Sequence, residues 1–292
     1  MSEKMSQMMP KDDKEQSDDA AYFTRHSKAE YNTYRKIRSS ENPQAGIDPE
    51  NQISPDLSEE GVVLAEQKAE EFLSQFDPQK DILFFASSNE ARALETANIY
   101  RKKAIEKGFK IMKPQKAGLD FAQQIGEGYI RVVRNLSLNN KNLLLQSLFN
   151  SDYQNQSVNW DALDPETRKK CDEVRALVRE HDYGSFGPNF FHHSEKAQEI
   201  FPEIKSAKDL FDGQFKRLLK LAEFGLQKAR EAGLEKKVKI LAFGHENYMA
   251  YALEKYFQDH EIKNCETVSI EVKDSAVNLT RRGVLKTLDP NE

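Results

Sequence analysis

The sequence has few cysteines, no long hydrophobic run and no excess of positive charge. Its 292 residues include only two cysteines, Cys171 and Cys265, and neither lies in a CxxC or Cys/His spacing, which argues against a disulfide scaffold and a zinc module. No run of 18 apolar residues is present, so a conventional membrane span is excluded. The formal net charge of −5 argues against a nucleic-acid partner.

The first 20 residues are polar and charged, without the apolar segment of a secretory signal peptide. We therefore expect a cytoplasmic protein. Residues 1–20 would bury too little apolar surface to offset the entropy lost on ordering, which predicts a disordered tail. We expect residues 21–292 to form a single α/β domain. A mainly helical cap is expected as an insertion at about 129–205, where the alternation of strands and helices stops.

Three apolar runs of strand length end in, or lead directly to, cationic or imidazole side chains. The predicted strands are 20–24, 81–86 and 238–243. The first delivers Arg25 and His26, the second is followed by a helix with Arg92 near its start, and the third ends at His245. Ligand sites in open α/β sheets lie at the carboxyl ends of strands, and helix N-termini favour anions. The pattern therefore predicts an anion site.

Capping residues and helical spacing predict the helices around these strands. They are expected at 58–76, 89–107, 164–181, 206–233 and 248–257. The alternation indicates a three-layer α/β/α sandwich with a mostly parallel central sheet, which residues 268–272 and 276–280 would close as edge strands. A loop is expected at 184–188. We also place His192 and His193 in a loop of the cap and favour a solvated loop there over a metal site.

Four motifs resemble those of the histidine phosphatase superfamily, also called phosphoglycerate-mutase-like. Residues 25–32 match R-H-G-x-x-x-x-N except that Ser27 replaces the glycine. Residues 57–61 match L-[ST]-x-x-G, residues 87–97 match S-S-x-x-x-R-A-x-x-T-A throughout, and the late strand ends in the G-H of the family. The motifs occur in the family's order, each on the expected element. Together they span about 21–280, apart from the cap.

The resemblance implies that His26 is a nucleophile that becomes phosphohistidine, while Arg25, Asn32, Arg92 and His245 bind the phosphoryl oxygens. The physical chemistry agrees, because two arginines and a second histidine can stabilise the charge of a phosphoryl group during transfer. Nearby cations also favour the neutral, nucleophilic form of imidazole. No metal or other cofactor is implied.

The acid that protonates the leaving alkoxide is open between two carboxylates. In the family's smaller members it is a Glu some residues before an E-G pair, and aligning on Glu127-Gly128 puts Asp120 at that position. In the larger acid-phosphatase branch it directly follows the second histidine, where this sequence has Glu246. We place Asp120 first and Glu246 second, although an Asp reaches less far than the Glu it would replace. The side chain of Ser27 would narrow the pocket or force a different turn.

The leading interpretation is a metal-independent phosphomonoester hydrolase that acts through phosphohistidine. One alternative is a phosphomutase of the same superfamily, which keeps the phosphoryl group on the enzyme for return. Another is a catalytically inactive relative that binds phosphorylated ligands or a protein partner. We expect a phosphorylated small molecule or a phosphoprotein as substrate, and neither nucleic acid nor a membrane as partner. Four residues of the cap are candidates for selecting the substrate: Arg131, Arg134, Trp160 and Phe186.

Overall fold

A computed structural model describes most of the chain. The residues it describes are 20–29, 57–112, 125–126, 130–132, 148–149, 160–231, 233, 237–259, 261–273 and 276–288. The chain divides into two compact units: Met1–Arg134 with Leu218–Gly244 and Lys263–Glu292, and Asn135–Arg217 with His245–Ile262. Residues 1–19 of the expected tail lie outside the described residues, and the cap limits of 129 and 205 stay a prediction.

The first unit is built around a β-sheet to which the described residues contribute nine strands. These are β1 (Ala20–Arg25), β2 (Asp81–Ser87), β3 (Lys110–Met112), β4 (Ile125–Gly126), β5 (Arg131–Val132), β6 (Lys237–Gly244), β7 (Thr267–Lys273), β8 (Ala276–Arg281) and β9 (Val284–Leu288). Their order is β4-β3-β2-β6-β1-β7-β8-β9, and β5 pairs with β2.

The expected α/β fold with a central sheet is confirmed, but the sheet is mixed rather than mostly parallel. Strands β1, β6, β2 and β3 run parallel to their neighbours within this group, as does β5 beside β2. The pairs β3–β4, β1–β7, β7–β8 and β8–β9 are antiparallel. The parallel part was predictable because all of β2 and nearly all of β6 are buried, which produces continuous apolar runs.

The pairs β7–β8 and β8–β9 are antiparallel because these strands follow one another through short connections, which cannot make parallel crossovers. Between β8 and β9, Arg282 and Gly283 have φ values of 48° and 77°, the left-handed pair that a two-residue hairpin turn requires. Strand β9 was not predicted. The two strands expected at the edge, β7 and β8, therefore lie inside the described sheet.

Two helices of the first unit pack against each other, α1 (Glu59–Leu73) and α2 (Ala91–Glu106). The predicted N-cap of α1 is confirmed, because Oγ of Ser58 accepts from N of Gly61 at 3.1 Å. The buried faces of both helices join the apolar residues of β1, β2 and β6 in one core cluster. The cluster includes an edge-to-face contact between Tyr100 and Phe243, whose ring centroids are 5.0 Å apart.

The second unit is helical in its described part. It contains α3 (Pro165–Glu180), α4 (Phe186–Ile200), the first part of α5 (Ala207–Glu231), a 3₁₀ turn (Glu246–Tyr248), the single turn α6 (Ala250–Ala252) and a π-helical segment (Leu253–Phe257). The predicted caps are confirmed: Asp164 accepts from N of Thr167 at 3.0 Å, and Ser206 accepts from N of Asp209 at 3.1 Å. No helix in the described residues is long and apolar enough to cross a membrane.

The loop expected at 184–188 was wrong, because α4 begins at Phe186. Pro188 was one reason for predicting a loop. It occupies the third helical position, where its missing N–H costs no helical hydrogen bond, since the first turn of a helix has no carbonyl partners.

The adjacent histidines therefore lie in a helix and not in a loop. His193 is buried, and its Nε2 lies 2.7 Å from the carbonyl oxygen of His181. The ring of His192 stacks on Tyr183 with the ring centroids 4.1 Å apart. The two side chains thus have separate packing roles.

Candidate active site

The Arg25-His26 pair ends β1, which lies between β6 and β7 in the sheet. Arg25 is paired with Gly244 in the β1–β6 register, and N of His26 donates to O of Gly244 at 3.0 Å. On the opposite side, N of Arg25 donates to O of Glu266 at 3.1 Å. The first motif is therefore fixed at the carboxyl end of an interior strand, next to the end of the strand that carries the last motif.

Two contacts define the protonation of the His26 ring. Its Nδ1 lies 2.6 Å from the carbonyl oxygen of Ser27, which can only accept, so Nδ1 carries the proton. Its Nε2 lies 3.2 Å from Nε of Arg92, which can only donate, so Nε2 carries the lone pair. The first contact places a proton on Nδ1 and the second excludes one from Nε2, so together they specify one neutral tautomer.

Burial and charge keep this ring neutral. His26 is 3% exposed. Burial, followed by the charges of Arg92 and Arg25, holds the pKa of His26 well below its usual value, while the bond to the Ser27 carbonyl opposes this shift. The sequence argument considered only the cations, whereas burial is the larger cause. A neutral imidazole with a lone pair on Nε2 is a nucleophile at neutral pH.

The second arginine reaches His26 from the first turn of α2. Arg92 is 6% exposed, and its NH1 atom pairs with Oε2 of Glu90 at 3.3 Å. Glu90 is the N-cap residue of the same helix. N of Ser88, at the end of β2, donates to O of Phe243 on β6 at 3.0 Å. The strand-to-helix turn is thereby tied to the sheet, which sets the position of Arg92.

The third motif also holds the loop that follows the nucleophile. N of Ser27 donates to Oγ1 of Thr96 at 3.0 Å, and that hydroxyl donates to O of Arg92 at 2.7 Å. The residue directly before Thr96 contacts the second motif: Oε2 of Glu95 accepts from N of Leu57 at 2.8 Å. The segment that carries the third motif thus contacts both the first and the second motif.

The second motif packs against the same loop through its glycine. N of Ser58 donates to O of Lys28 at 3.1 Å, and Ala29 and Leu57 form a β-bridge. A Cβ atom on Gly61 would overlap the carbonyl oxygen of Lys28. The motif therefore requires glycine for a close approach of helix and loop, not for an unusual φ.

Serine fits at the position where the family has glycine. Oγ of Ser27 donates to O of Gly61 at 2.7 Å, and the residue is fully buried. Its φ is not positive, so the backbone at this position does not need a glycine. The substitution adds a hydrogen bond between the loop and α1.

Sequence reasoning missed the turn that holds the nucleophile from the β7 side. Nδ2 of Asn264 donates to O of His26 at 2.9 Å, and N of Cys265 donates to O of Arg25 at 3.0 Å. Cys265 has a left-handed φ of 58°, and burial raises the pKa of its thiol to about 11. An Asn four residues before the start of a predicted strand was the available signal. That strand's pairing with β1 is not visible in the sequence.

The remaining histidine and carboxylate of the sequence analysis belong to the second unit. His245 is buried and directly follows the last residue of β6. Glu246 opens the 3₁₀ turn, in which N of Tyr248 donates to O of His245 at 3.2 Å. Asn32 and Asp120 lie outside the described residues.

The candidate substrate-selecting residues are spread over several elements. Arg131 lies in β5, Trp160 begins a 3₁₀ turn, Phe186 begins α4, and Arg134 lies outside the described residues. Within the described ranges, no group of three His, Cys, Asp or Glu side chains is arranged to hold a metal ion.

Comparison with known proteins gives matches among solved structures only. No family model and no curated protein sequence matches the chain. Phosphoglycerate mutase from Bacillus anthracis str. Sterne matches at 16% identity, with 94% of this chain and 93% of that chain covered and a TM-score of 0.46. A mycobacterial glucosyl-3-phosphoglycerate phosphatase matches at 14% identity, with 87% and 92% covered and a TM-score of 0.41.

A variant of phosphoserine phosphatase from Entamoeba histolytica, in complex with phosphoserine, matches at 13% identity, with 89% of this chain and 94% of that chain covered and a TM-score of 0.36. A phosphoglycerate mutase and two phosphatases thus stand among the matching structures. At these TM-scores the matches carry no argument about activity, which depends on the residues described above.

Proposed function

We propose that this protein is a phosphomonoester hydrolase that forms a phosphohistidine at His26. The observation that carries the proposal is the tautomer of this ring, with a lone pair on Nε2 that lies 3.2 Å from Nε of Arg92. A buried neutral imidazole beside guanidinium groups combines a nucleophile with donors for phosphoryl oxygens.

In the first step, Nε2 of His26 attacks phosphorus and the bond between phosphorus and the ester oxygen breaks. The leaving alkoxide takes a proton from a carboxyl group, Asp120 in the first assignment and Glu246 in the second. Without substrate, Arg92 donates to Nε2. A bound phosphoryl oxygen would accept that N–H instead, so substrate binding would release the lone pair for attack. By the resemblance, Arg25 and other polar groups bind the remaining oxygens.

The bond from Nδ1 to Ser27 assists this step. Phosphorylation at Nε2 with a proton retained on Nδ1 gives the ring a positive charge. The carbonyl oxygen of Ser27, 2.6 Å from Nδ1, is placed to stabilise that charge. In the second step, water attacks phosphorus and gives a proton to the carboxylate left by the first step, the P–N bond breaks, its electron pair returns to Nε2, and inorganic phosphate leaves.

Hydrolysis of p-nitrophenyl phosphate from about pH 4.5 to 8, with EDTA present, tests the proposal. We expect phosphate release by the wild type, none by His26→Ala, and wild-type rates for His192→Ala, a surface histidine of α4. The variants Asp120→Asn and Glu246→Gln assign the acid. With a phosphomonoester that has a poor leaving group, only loss of the true acid should slow hydrolysis. No release by the wild type with any phosphomonoester would contradict the proposal.

The mutase alternative shares the first step and differs in the acceptor of the phosphoryl group. A phosphoenzyme that persists in water but transfers its phosphoryl group to an added hydroxyl compound would favour the mutase. The substrate class remains a phosphorylated small molecule or phosphoprotein, a proposal based on the oxyanion-binding character of the site.

A further inference from the structure

The backbone around the nucleophile is hydrogen-bonded at each polar group from N of Arg25 to O of Ser27. The His26–Ser27 peptide is held at both ends: its oxygen accepts from Nδ2 of Asn264 at 2.9 Å, and its N–H donates to Oγ1 of Thr96 at 3.0 Å. Because a peptide group is planar and rigid, these two bonds fix its rotation. Of the two side chains, Asn264 alone binds the carbonyl of the nucleophile itself.

The orientation of this peptide controls the imidazole. Ser27 supplies the N–H of the held peptide. Its own carbonyl oxygen, in the next peptide group, accepts from Nδ1 of His26. Rotation of the peptide would move that carbonyl and lengthen the 2.6 Å contact that keeps the proton on Nδ1. The ring would then lose one of the two contacts that specify its tautomer, and only the Nε–H of Arg92 would still favour a lone pair on Nε2.

Asn264 is itself firmly placed. It precedes Cys265, whose N–H binds O of Arg25, and Glu266, whose O accepts from N of Arg25. The Glu266 carboxylate accepts from N of Lys263 at 2.8 Å and from Nε of Arg281 at 2.6 Å. The turn is thus closed on itself by bonds between Lys263 and Glu266, and it is bound to β1 directly after Asn264, which restricts the movement of the amide.

We propose that Asn264 is a positioning residue for His26, holding the His26–Ser27 peptide so that the ring keeps its proton on Nδ1 and its lone pair on Nε2. Asn264 does not touch the reacting atoms. The catalytic part of this inference rests on the proposed function, since a fixed lone pair affects turnover only if His26 attacks phosphorus. The tautomer itself can be observed without any turnover.

Three variants separate the amide donor from the mere presence of a side chain. Asn264→Asp keeps the shape but replaces the donor with an acceptor facing a carbonyl oxygen, Asn264→Ala removes the group, and Asn264→Gln keeps a donor on a longer side chain. We expect kcat to fall by up to about 100-fold in the Asp and Ala variants, with a smaller change in KM, and to recover partly in the Gln variant.

The matched control is Asn278→Asp on β8 of the same sheet. Its Oδ1 accepts from Oγ1 of Thr287 at 2.8 Å, so an aspartate retains the bond. The specific readout is the ¹⁵N–¹H spectrum of the histidine rings, with the His26 signals assigned by their absence in His26→Gln. We expect a protonated Nδ1 and an unprotonated Nε2 in the wild type and in the control, and mixed tautomers in Asn264→Asp.

Two results would overturn the proposal: a wild-type spectrum with the proton on Nε2, or Asn264→Asp and Asn264→Ala proteins that keep both the wild-type tautomer and the wild-type kcat. If neither variant folds, the wild-type spectrum still decides on the tautomer. A wild type without activity whose tautomer shifts in Asn264→Asp would refute the proposed function and support the positioning role.

Discussion

Arg92 donates its Nε–H to Nε2 of His26 across 3.2 Å, although the two residues are 66 positions apart in the chain. The contact joins the first and third motifs in one unit of the fold. It has two consequences, because the guanidinium both lowers the pKa of the ring and supplies donors to any oxyanion that replaces Nε2 as the acceptor.

Replacing Arg92 should therefore impair turnover strongly. We expect Arg92→Ala to lower kcat/KM by about 100- to 1,000-fold, since it removes donors from the developing phosphoryl charge. Arg92→Lys should recover only part of this, because an ammonium group lacks the planar fork. Arg101→Lys, on the same helix, is the control, and its side chain bonds Asn98 rather than the nucleophile. Equal losses in the Arg92 and Arg101 variants, measured by steady-state kinetics, would contradict this role.

The close approach of α1 to the nucleophile loop predicts an asymmetry between two helical glycines. Gly61→Ala should destabilise the protein by about 1–3 kcal/mol and reduce activity, because its methyl group would overlap the Lys28 carbonyl. Gly213→Ala, in α5, meets nothing within 4 Å and should be neutral or stabilising by up to about 1 kcal/mol. Urea unfolding of both variants tests this. Similar free energies of unfolding would show that the approach is not close.

Ser27 offers a test of the departure from the family motif. Ser27→Ala should lose the hydrogen bond to O of Gly61 and about 1 kcal/mol of stability. Ser27→Gly restores the family residue and should retain activity, since the backbone φ suits either residue. Thermal unfolding of both variants measures the effect on stability, and kcat measures the effect on activity. An inactive glycine variant would mean that the hydroxyl has a catalytic role.

The low pKa of His26 predicts how stability changes with pH. The folded ring resists protonation, while the unfolded ring titrates near 6.5. Below that pH the unfolded state binds more protons, so the free energy of unfolding should fall as pH drops from 6.5 towards the folded pKa, by at most about 1.4 kcal/mol per pH unit. Above 6.5 the ring should contribute no pH dependence. Urea unfolding at several pH values should show a shallower slope for His26→Gln, and identical slopes would refute the low pKa.

Much of the fold was predictable from local sequence patterns. The buried runs of β1, β2 and β6 and the caps at Ser58, Asp164 and Ser206 are local signals, and the structure has them. The antiparallel half of the sheet was missed because strand pairing depends on tertiary context. The helix that begins at Phe186 was missed because Pro188 favoured a loop, although a helix tolerates proline in its first turn.

For the site, sequence alone indicated that His26 and Arg92 belong near an anion at strand ends. It did not indicate that burial would dominate the pKa of His26, because burial depends on packing that the motif does not encode. It also missed Asn264, 238 positions away from the carbonyl that it binds. Contacts across such separations follow from the order of strands in the sheet.

The central claim is that Nε2 of His26 becomes phosphorylated. The direct measurement is to mix the enzyme with p-nitrophenyl phosphate radiolabelled at phosphorus and to quench the reaction rapidly without acid. Peptide mapping then locates any label that is stable to alkali and labile to acid. The account predicts label on His26 in the wild type with EDTA present, and none in His26→Ala. Turnover without label on His26, or label on another residue, would contradict it.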